Sequence, residues 1–199
     1  MDPAKAIDEV LALGLAGALK RAGFKKSART FRRALDGAIQ VVNVQASQSN
    51  GPAARFTVNL GVYRAEIAAL LAPSLPLTTQ PKEYQCVVRE RIGFLMPKGA
   101  DHWWEARPHG SIDNERLAGE VADAVLGYGL PWLESNVSIG AIRETLSAHP
   151  TLVTAAAAIA AGDLHGGIEI AETVAVARPA AAPKVREWIN QMLTAAAGA

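Results

Sequence analysis

An Asp36-Gly37 pair set between two alternating runs constrains this chain more than any other feature. Thr30–Leu35 and Ala38–Ser47 both change sides every residue. Asp-Gly supplies the positive φ angles that a tight two-residue turn between twisted strands requires. A hairpin is therefore expected here. A further turn at Ser49-Asn50-Gly51-Pro52 leads to a third strand, Arg55–Val62, with Phe56, Val58, Leu60 and Val62 on one face and Arg55, Thr57 and Asn59 on the other. On the second strand Val42, Val44 and Ala46 alternate with Val41, Asn43 and Gln45. One buried and one polar face is the simplest account of a sheet so patterned. Tyr84–Ile92 and His102–Arg107 read as two more strands, for about five in all.

Helical spacing flanks this sheet. Asp2-Pro3 is a helix start, with Ile7, Leu11, Gly14 and Ala18 on one stripe and Gly23 as the stop near Arg21. Gly14 and Gly17 cost helix propensity, so a close packing contact is expected at them. Ala65–Leu71 reads as a helical turn in a proline-bounded connection. A helix opening at Asp113 carries Leu117, Val121, Ala124 and Val125 and ends near Gly127 and Gly129, leaving Leu130-Pro131-Trp132-Leu133 as a packed connection. Beyond Ser138 the chain turns alanine-rich. Helices are expected over Ile139–His149, Thr151–Ala161, Leu164–Arg178 and Pro183–Ala197, with Gly162-Asp163 as a turn between two of them. The last carries an apolar stripe of Val185, Trp188, Ile189 and Met192, which a lone helix could not stabilise in water. The reading is an α+β chain, with a core domain over residues 1–135 and a helical extension over 136–199 packed on it.

The residues placed in this way resemble, in order, an uncharacterised bacterial family known as domain of unknown function 4304. The resemblance is carried by Gly23-Phe24-Lys25-Lys26, Thr30-Phe31-Arg32-Arg33, Val42-Asn43-Val44-Gln45-Ala46-Ser47 and Phe56-Thr57-Val58-Asn59-Leu60-Gly61-Val62. Weaker echoes are Arg91-Ile92-Gly93, Trp103-Trp104 and Leu130-Pro131-Trp132-Leu133. It spans roughly residues 3–133. It implies a fold and a bacterial cytosolic setting, and carries over no catalytic residue.

Most site chemistries lack their residues. His102, His109, His149 and His165 have neither the i,i+4 pairing nor the acidic neighbours usual at zinc sites. Ser111 lies near His109 and Asp113 but has no strained nucleophile elbow. Gly14-Leu15-Ala16-Gly17 falls inside a helix, so it is no dinucleotide fingerprint. Cys86, the only cysteine, alternates with Tyr84 and Val88 as a buried, inert thiol would, and allows no internal disulfide. In a strand, Trp103 and Trp104 must point to opposite faces, with core packing expected of both. No catalytic residue, metal ligand or cofactor is assigned. No membrane span is expected, since the longest nearly apolar run, Leu152–Gly162, is about half the roughly 20 residues a membrane helix needs. The acidic N-terminal stretch is the wrong sign for a secretory signal, and the cytoplasm is the expected compartment.

One constellation stands out against a net charge of only +1. Lys20, Arg21, Lys25, Lys26, Arg29, Arg32 and Arg33 follow one another with no acidic residue among them. Arg55, Arg89 and Arg91 on strands could extend this field, as could Arg107. Asn43, Gln45 and Asn59 add neutral hydrogen-bonding groups on the polar face. The binding surface expected from these residues suits an acidic protein partner or an anionic ligand. The leading reading is a noncatalytic binding protein. The alternatives are a hydrolase or transferase acting on a phosphorylated or acidic small molecule, and a nucleic-acid-binding module whose affinity would fall steeply with salt. The bland outcome is a set of arginines that neutralise Glu90, Glu105 or helix acids.

Overall fold

The computed structural model describes residues 3–48, 54–107 and 112–198. The Asp2 cap, the Ser49–Pro52 turn, His109 and Ser111 lie outside them. The chain divides into two compact units, residues 1–63 with 80–135 and residues 64–79 with 136–199. Arg64–Thr79, which lies between two strands in sequence, thus belongs with the C-terminal helices.

In the first unit the expected single N-terminal helix is two: α1 (Pro3–Leu13) and α2 (Leu15–Arg21). The break falls at Gly14, where a Cβ would overlap the Ala118 carbonyl, so the glycine is needed for close approach to the later helix. At Gly17 a Cβ would meet only the tip of Arg21, and no such contact accounts for that glycine. The α2 stop is as expected. Gly23 has φ +86°, its N–H bonds the Lys20 carbonyl, and the Phe24 N–H reaches back to the Leu19 carbonyl, a paired closure that satisfies two terminal carbonyls.

Among the described residues six antiparallel strands follow: β1 (Lys25–Ser27), β2 (Thr30–Leu35), β3 (Ala38–Ala46), β4 (Ala54–Arg64), β5 (Val88–Arg91) and β6 (Trp104–Ala106). The sheet order is β1-β2-β3-β4-β5, with β6 also on β4. The hairpin is where Asp36-Gly37 places it, with Leu35 opposite Ala38 and both turn residues at positive φ (48° and 78°). β1 was not expected from the alternation. It is three residues long and joins β2 through Ala28-Arg29, with Ala28 at φ +51°.

The strand expected over Tyr84–Ile92 is confined to β5, because Glu83–Gln85 form a 3₁₀ turn instead. β5 covers Asn59–Val62 of β4 and β6 covers Ala54–Phe56, so the two share one edge of β4 end to end. Between them run a four-residue helix, α4 (Ile92–Leu95), and a loop to Trp103. Gly93 lets this excursion fold tightly, since a Cβ there would collide with the backbone of Ala100 and His102.

Phe31, Val42, Val44, Phe56, Val58, Leu60 and Ile92 are all buried. Against the sheet, α1 and α5 (Ile112–Ala124) pack on β6 and α2 packs on β1, and the three helices pack on one another. Contrary to expectation, α5 does not give way to an irregular connection. It widens into a π turn, Val125–Gly129, and continues as α6 (Leu130–Ser135). Pro131 accounts for the widening: in a regular helix its ring would press on the carbonyl four residues back, and it offers no N–H. Gly129 in that turn approaches Leu60 and Ile92 closely enough that a Cβ would stand 3.4 Å from each.

The second unit comprises α3 (Ala65–Leu71), α7 (Ile139–Leu146), α8 (Leu152–Ala160), α9 (Leu164–Ala177) and α10 (Ala182–Ala197). Side-chain caps start three of these. Ser138 accepts from Ala141 N–H, Thr151 from Thr154 N–H, and Asp163 from Gly166 N–H, which also holds the Asp163 carboxyl below its usual range. Ala155–Ala158 are buried on every side of α8, and Gly167 of α9 fits against Ile159 where a side chain would not. The α10 stripe of Val185, Trp188, Ile189 and Met192 is buried, and the Trp188 indole donates to the Leu70 carbonyl on α3 at 2.7 Å. No helix among the described residues is long and apolar enough to cross a membrane.

Candidate functional site

Register sorts the polar residues by face. Thr30 pairs with Asn43 and Arg32 with Val41, so these four share one side of the sheet; Phe31 with Val42 and Arg33 with Gln40 share the other. Lys25 pairs with Arg32 and joins the first side, whereas Lys26 pairs with Phe31. Across β4, Asn59 stands opposite Arg91, Gly61 opposite Arg89 and Arg55 opposite Glu105. The polar face therefore carries Lys25, Arg32, Asn43, Gln45, Arg55, Asn59, Arg89 and Arg91. Arg33 and Lys26 lie on the other.

Arg33 is a structural residue of the core side. Its guanidinium donates to Gln40 Oε1 (2.8 Å), the Ala22 carbonyl (2.9 Å) and Glu134 Oε1 (2.8 Å), with its centre 4.8 Å from the Phe24 ring. Lys26 Nζ lies 5.9 Å from the centre of the Phe31 ring. In the β1–β2 turn, Arg29 pairs with Asp8 of α1 at 2.7 Å, a bond that holds the Asp8 carboxyl below its ordinary value. Asp8, Lys26, Ala28, Arg29, Thr30 and Asn43 line one shallow depression, and the Asn43 amide is turned to Thr30 Oγ1 (2.9 Å).

Part of the polar face is covered. The segment from Gln80 to Val87 crosses it: Arg32 Nε donates to the Pro81 carbonyl at 2.7 Å, and Cys86 lies where a side chain on Gly61 would have to be. Burial, aided by the nearby Glu83 carboxylate, pushes the Cys86 thiol up to about 12, so it is protonated and unreactive at neutral pH.

Beside this cover a cleft remains. A cavity of about 250 Å³ is lined by Gln45, Asn59, Glu83, Arg89, Glu90 and Arg91. The floor is a connected row: Asn59 Nδ2 donates to Gln45 Oε1 at 2.8 Å, and Arg91 Nε donates to Asn59 Oδ1 at 3.3 Å. Arg89 meets Glu83 at 3.0 Å, and Arg91 meets Asp101 at 2.8 Å. Asp101 also accepts from the Trp103 indole at 2.9 Å, and that bond, with Arg91 next, holds its carboxyl below the ordinary range. Trp103 stands between two strands' arginines, with Arg91 and Arg55 at 5.5 and 5.7 Å from its ring centre. Arg55 pairs with Glu105 at 3.4 Å.

The structure thus brings together Gln45, Asn59, Arg89 and Arg91, with Arg55 reached through Trp103. Asn43 and Arg29 belong to the neighbouring depression, Arg32 lies beneath the cover, and Lys25 is exposed on the edge strand. The tryptophans do take opposite faces. Trp104 is buried and stacks on Phe56 with ring centres 5.8 Å apart, but Trp103 is half-buried beside the arginines and not in the core. Glu83, Asp101 and Trp103 were missed as site residues. Alternation from Trp104 could have found Trp103; the two acids come from loops whose position no local pattern encodes.

Among the described residues no group of three or more histidine, cysteine, aspartate or glutamate side chains is arranged to hold a metal ion. No curated protein and no solved structure matches the chain. The family model described as Domain of unknown function (DUF4304) matches residues 15–135, a range that takes in the whole sheet and every residue of the cleft, and the chain belongs to that family.

Proposed function

We propose that this is a noncatalytic binding protein and that the cleft on the polar sheet face is its contact surface, taking an acidic protein partner or another carboxylate-bearing ligand. The observation that carries this is the convergence of Arg89, Arg91, Asn59 and Gln45 on one cavity, whose lining Glu83 and Glu90 complete. Arginine side chains present fixed forks of donors that match a carboxylate, and the amides supply both donors and acceptors beside them. A bacterial, cytoplasmic setting belongs to the same reading and rests on the resemblance alone.

The arginines are already engaged by internal carboxylates, yet those pairs are partly exposed, and such pairs contribute about 0–1 kcal/mol. An incoming carboxylate would bind by displacing Glu83 or Asp101, each of which holds its arginine only weakly. The test is an NMR titration of the ¹⁵N-labelled protein with citrate. The side-chain amides of Asn59 and Gln45 and the Trp103 indole N–H should shift, and Arg91→Ala should abolish the shifts while leaving the unfolding midpoint nearly unchanged. Shifts no larger than those produced by chloride at equal ionic strength would reject the site.

A further inference from the structure

Arg89 and Arg91 are two residues apart on one strand, paired with Gly61 and Asn59 of β4, so both project from the polar face. Two residues of extended chain span roughly 6.6 Å. The carboxylates that meet them come from separate segments, Glu83 from the cover and Asp101 from the loop before Trp103. Neither segment is a strand there. The molecule therefore fills with two unrelated side chains a spacing that one extended peptide with acids at positions i and i+2 would satisfy by itself. Gln45 and Asn59, joined by an amide hydrogen bond, line the same cavity as Arg89 and Arg91, together with Glu90 on the strand between the arginines, and the Gln45 amide could meet the polar backbone of such a peptide.

Resting on the binding reading above, we infer that the ligand is an extended acidic peptide segment with carboxylates two residues apart, and that Asp101 and Glu83 are its internal competitors. Asp101 holds Arg91 and the Trp103 indole at once. Removing its charge frees the arginine for an external acid, while asparagine retains a carbonyl acceptor for the indole. The competitor relation separates this site from a generally basic surface: only acids that occupy Arg89 or Arg91 should affect peptide affinity beyond the change in net charge.

The experiment measures fluorescence polarisation of labelled glycine-serine peptides carrying two glutamates at spacings of one, two and three residues, against the full chain. The spacing of two should bind about threefold more tightly than the others, and Asp101→Asn should tighten it about threefold further. Asp123→Asn on α5, which makes the same change in net charge, should not. Equal affinity at all spacings, or equal effects of the two substitutions, overturns the inference. If the citrate-induced shift at Asn59 persists in that case, the binding reading stands without it. Absence of both citrate shifts and peptide binding overturns both.

Discussion

Two arginines adjacent in sequence, Arg32 and Arg33, show how differently the two faces of this sheet are built. Arg33 is bound on three sides by Gln40, Ala22 and Glu134 and caps the Phe24 ring, fixed against the helices of the core side. Arg32 holds one backbone carbonyl of a segment that crosses the polar side. The core face is made of apolar contacts that no single loop controls. The polar face is made of ion pairs and amide bonds between strands and loops, each of them small. A face of the first kind secures the fold, whereas one of the second kind can lose any single contact at little cost to it.

Substitutions on each side would break or sharpen this contrast. The largest effect should come from Phe56→Ala, which removes a fully buried ring stacked on Trp104 and should cost about 3–5 kcal/mol in chemical denaturation. An unchanged midpoint would mean that this face is not the core. Next comes the arginine pair. Arg33→Ala leaves the fully buried Gln40 side chain without its Oε1 donor, and should cost about 1–3 kcal/mol; Arg32→Ala should cost less than about 1 kcal/mol. Equal losses would erase the distinction between the faces.

A pH comparison should separate the faces at the lowest energies. Asp101 titrates below its ordinary 3.8 in the folded protein, so its contribution is complete above the unfolded value and disappears as pH falls through the lowered folded one. The unfolding midpoints of wild type and Asp101→Asn should therefore differ slightly near neutral pH and converge in acid. Phe56→Ala should keep its deficit across the same range wherever folding remains measurable. A gap for Asp101→Asn that persists in acid would show that its side chain acts by packing and not by charge.

Much of the fold was legible because its signals are local. Asp36-Gly37 specifies its turn through backbone φ, Gly23 and Ser138 close and open helices through bonds to the next few residues, and the alternation of Phe56 to Val62 states which side is buried. What escaped depends on distant partners. The alternation of Tyr84, Cys86 and Val88 imitates a strand, yet Glu83–Gln85 turn as a 3₁₀ helix and Cys86 packs over Gly61. The helix break at Gly14 is set by Ala118, about a hundred residues away in a chain of 199. Strand alternation put Asn59, Gln45 and Arg55 on one sheet face, and the register agrees. It also put Arg32 and Arg33 in one basic field, although consecutive strand residues must part to opposite faces. Which arginines stay accessible was decided by the crossing segment, and composition carries no trace of that.

Cys86 also makes the covered half of the polar face measurable in time. With its thiol shifted to about 12, only about one molecule in ten thousand would carry thiolate at pH 8, and the sulfur is buried besides. Modification by a disulfide reagent thus waits for the crossing segment to lift, and its rate becomes a clock for that opening. The native protein contains this single reporter in the stretch that separates the occupied part of the face from the cleft. A ligand that grips Arg89 and displaces Glu83 would loosen the same segment, and the clock would run faster as the cleft fills.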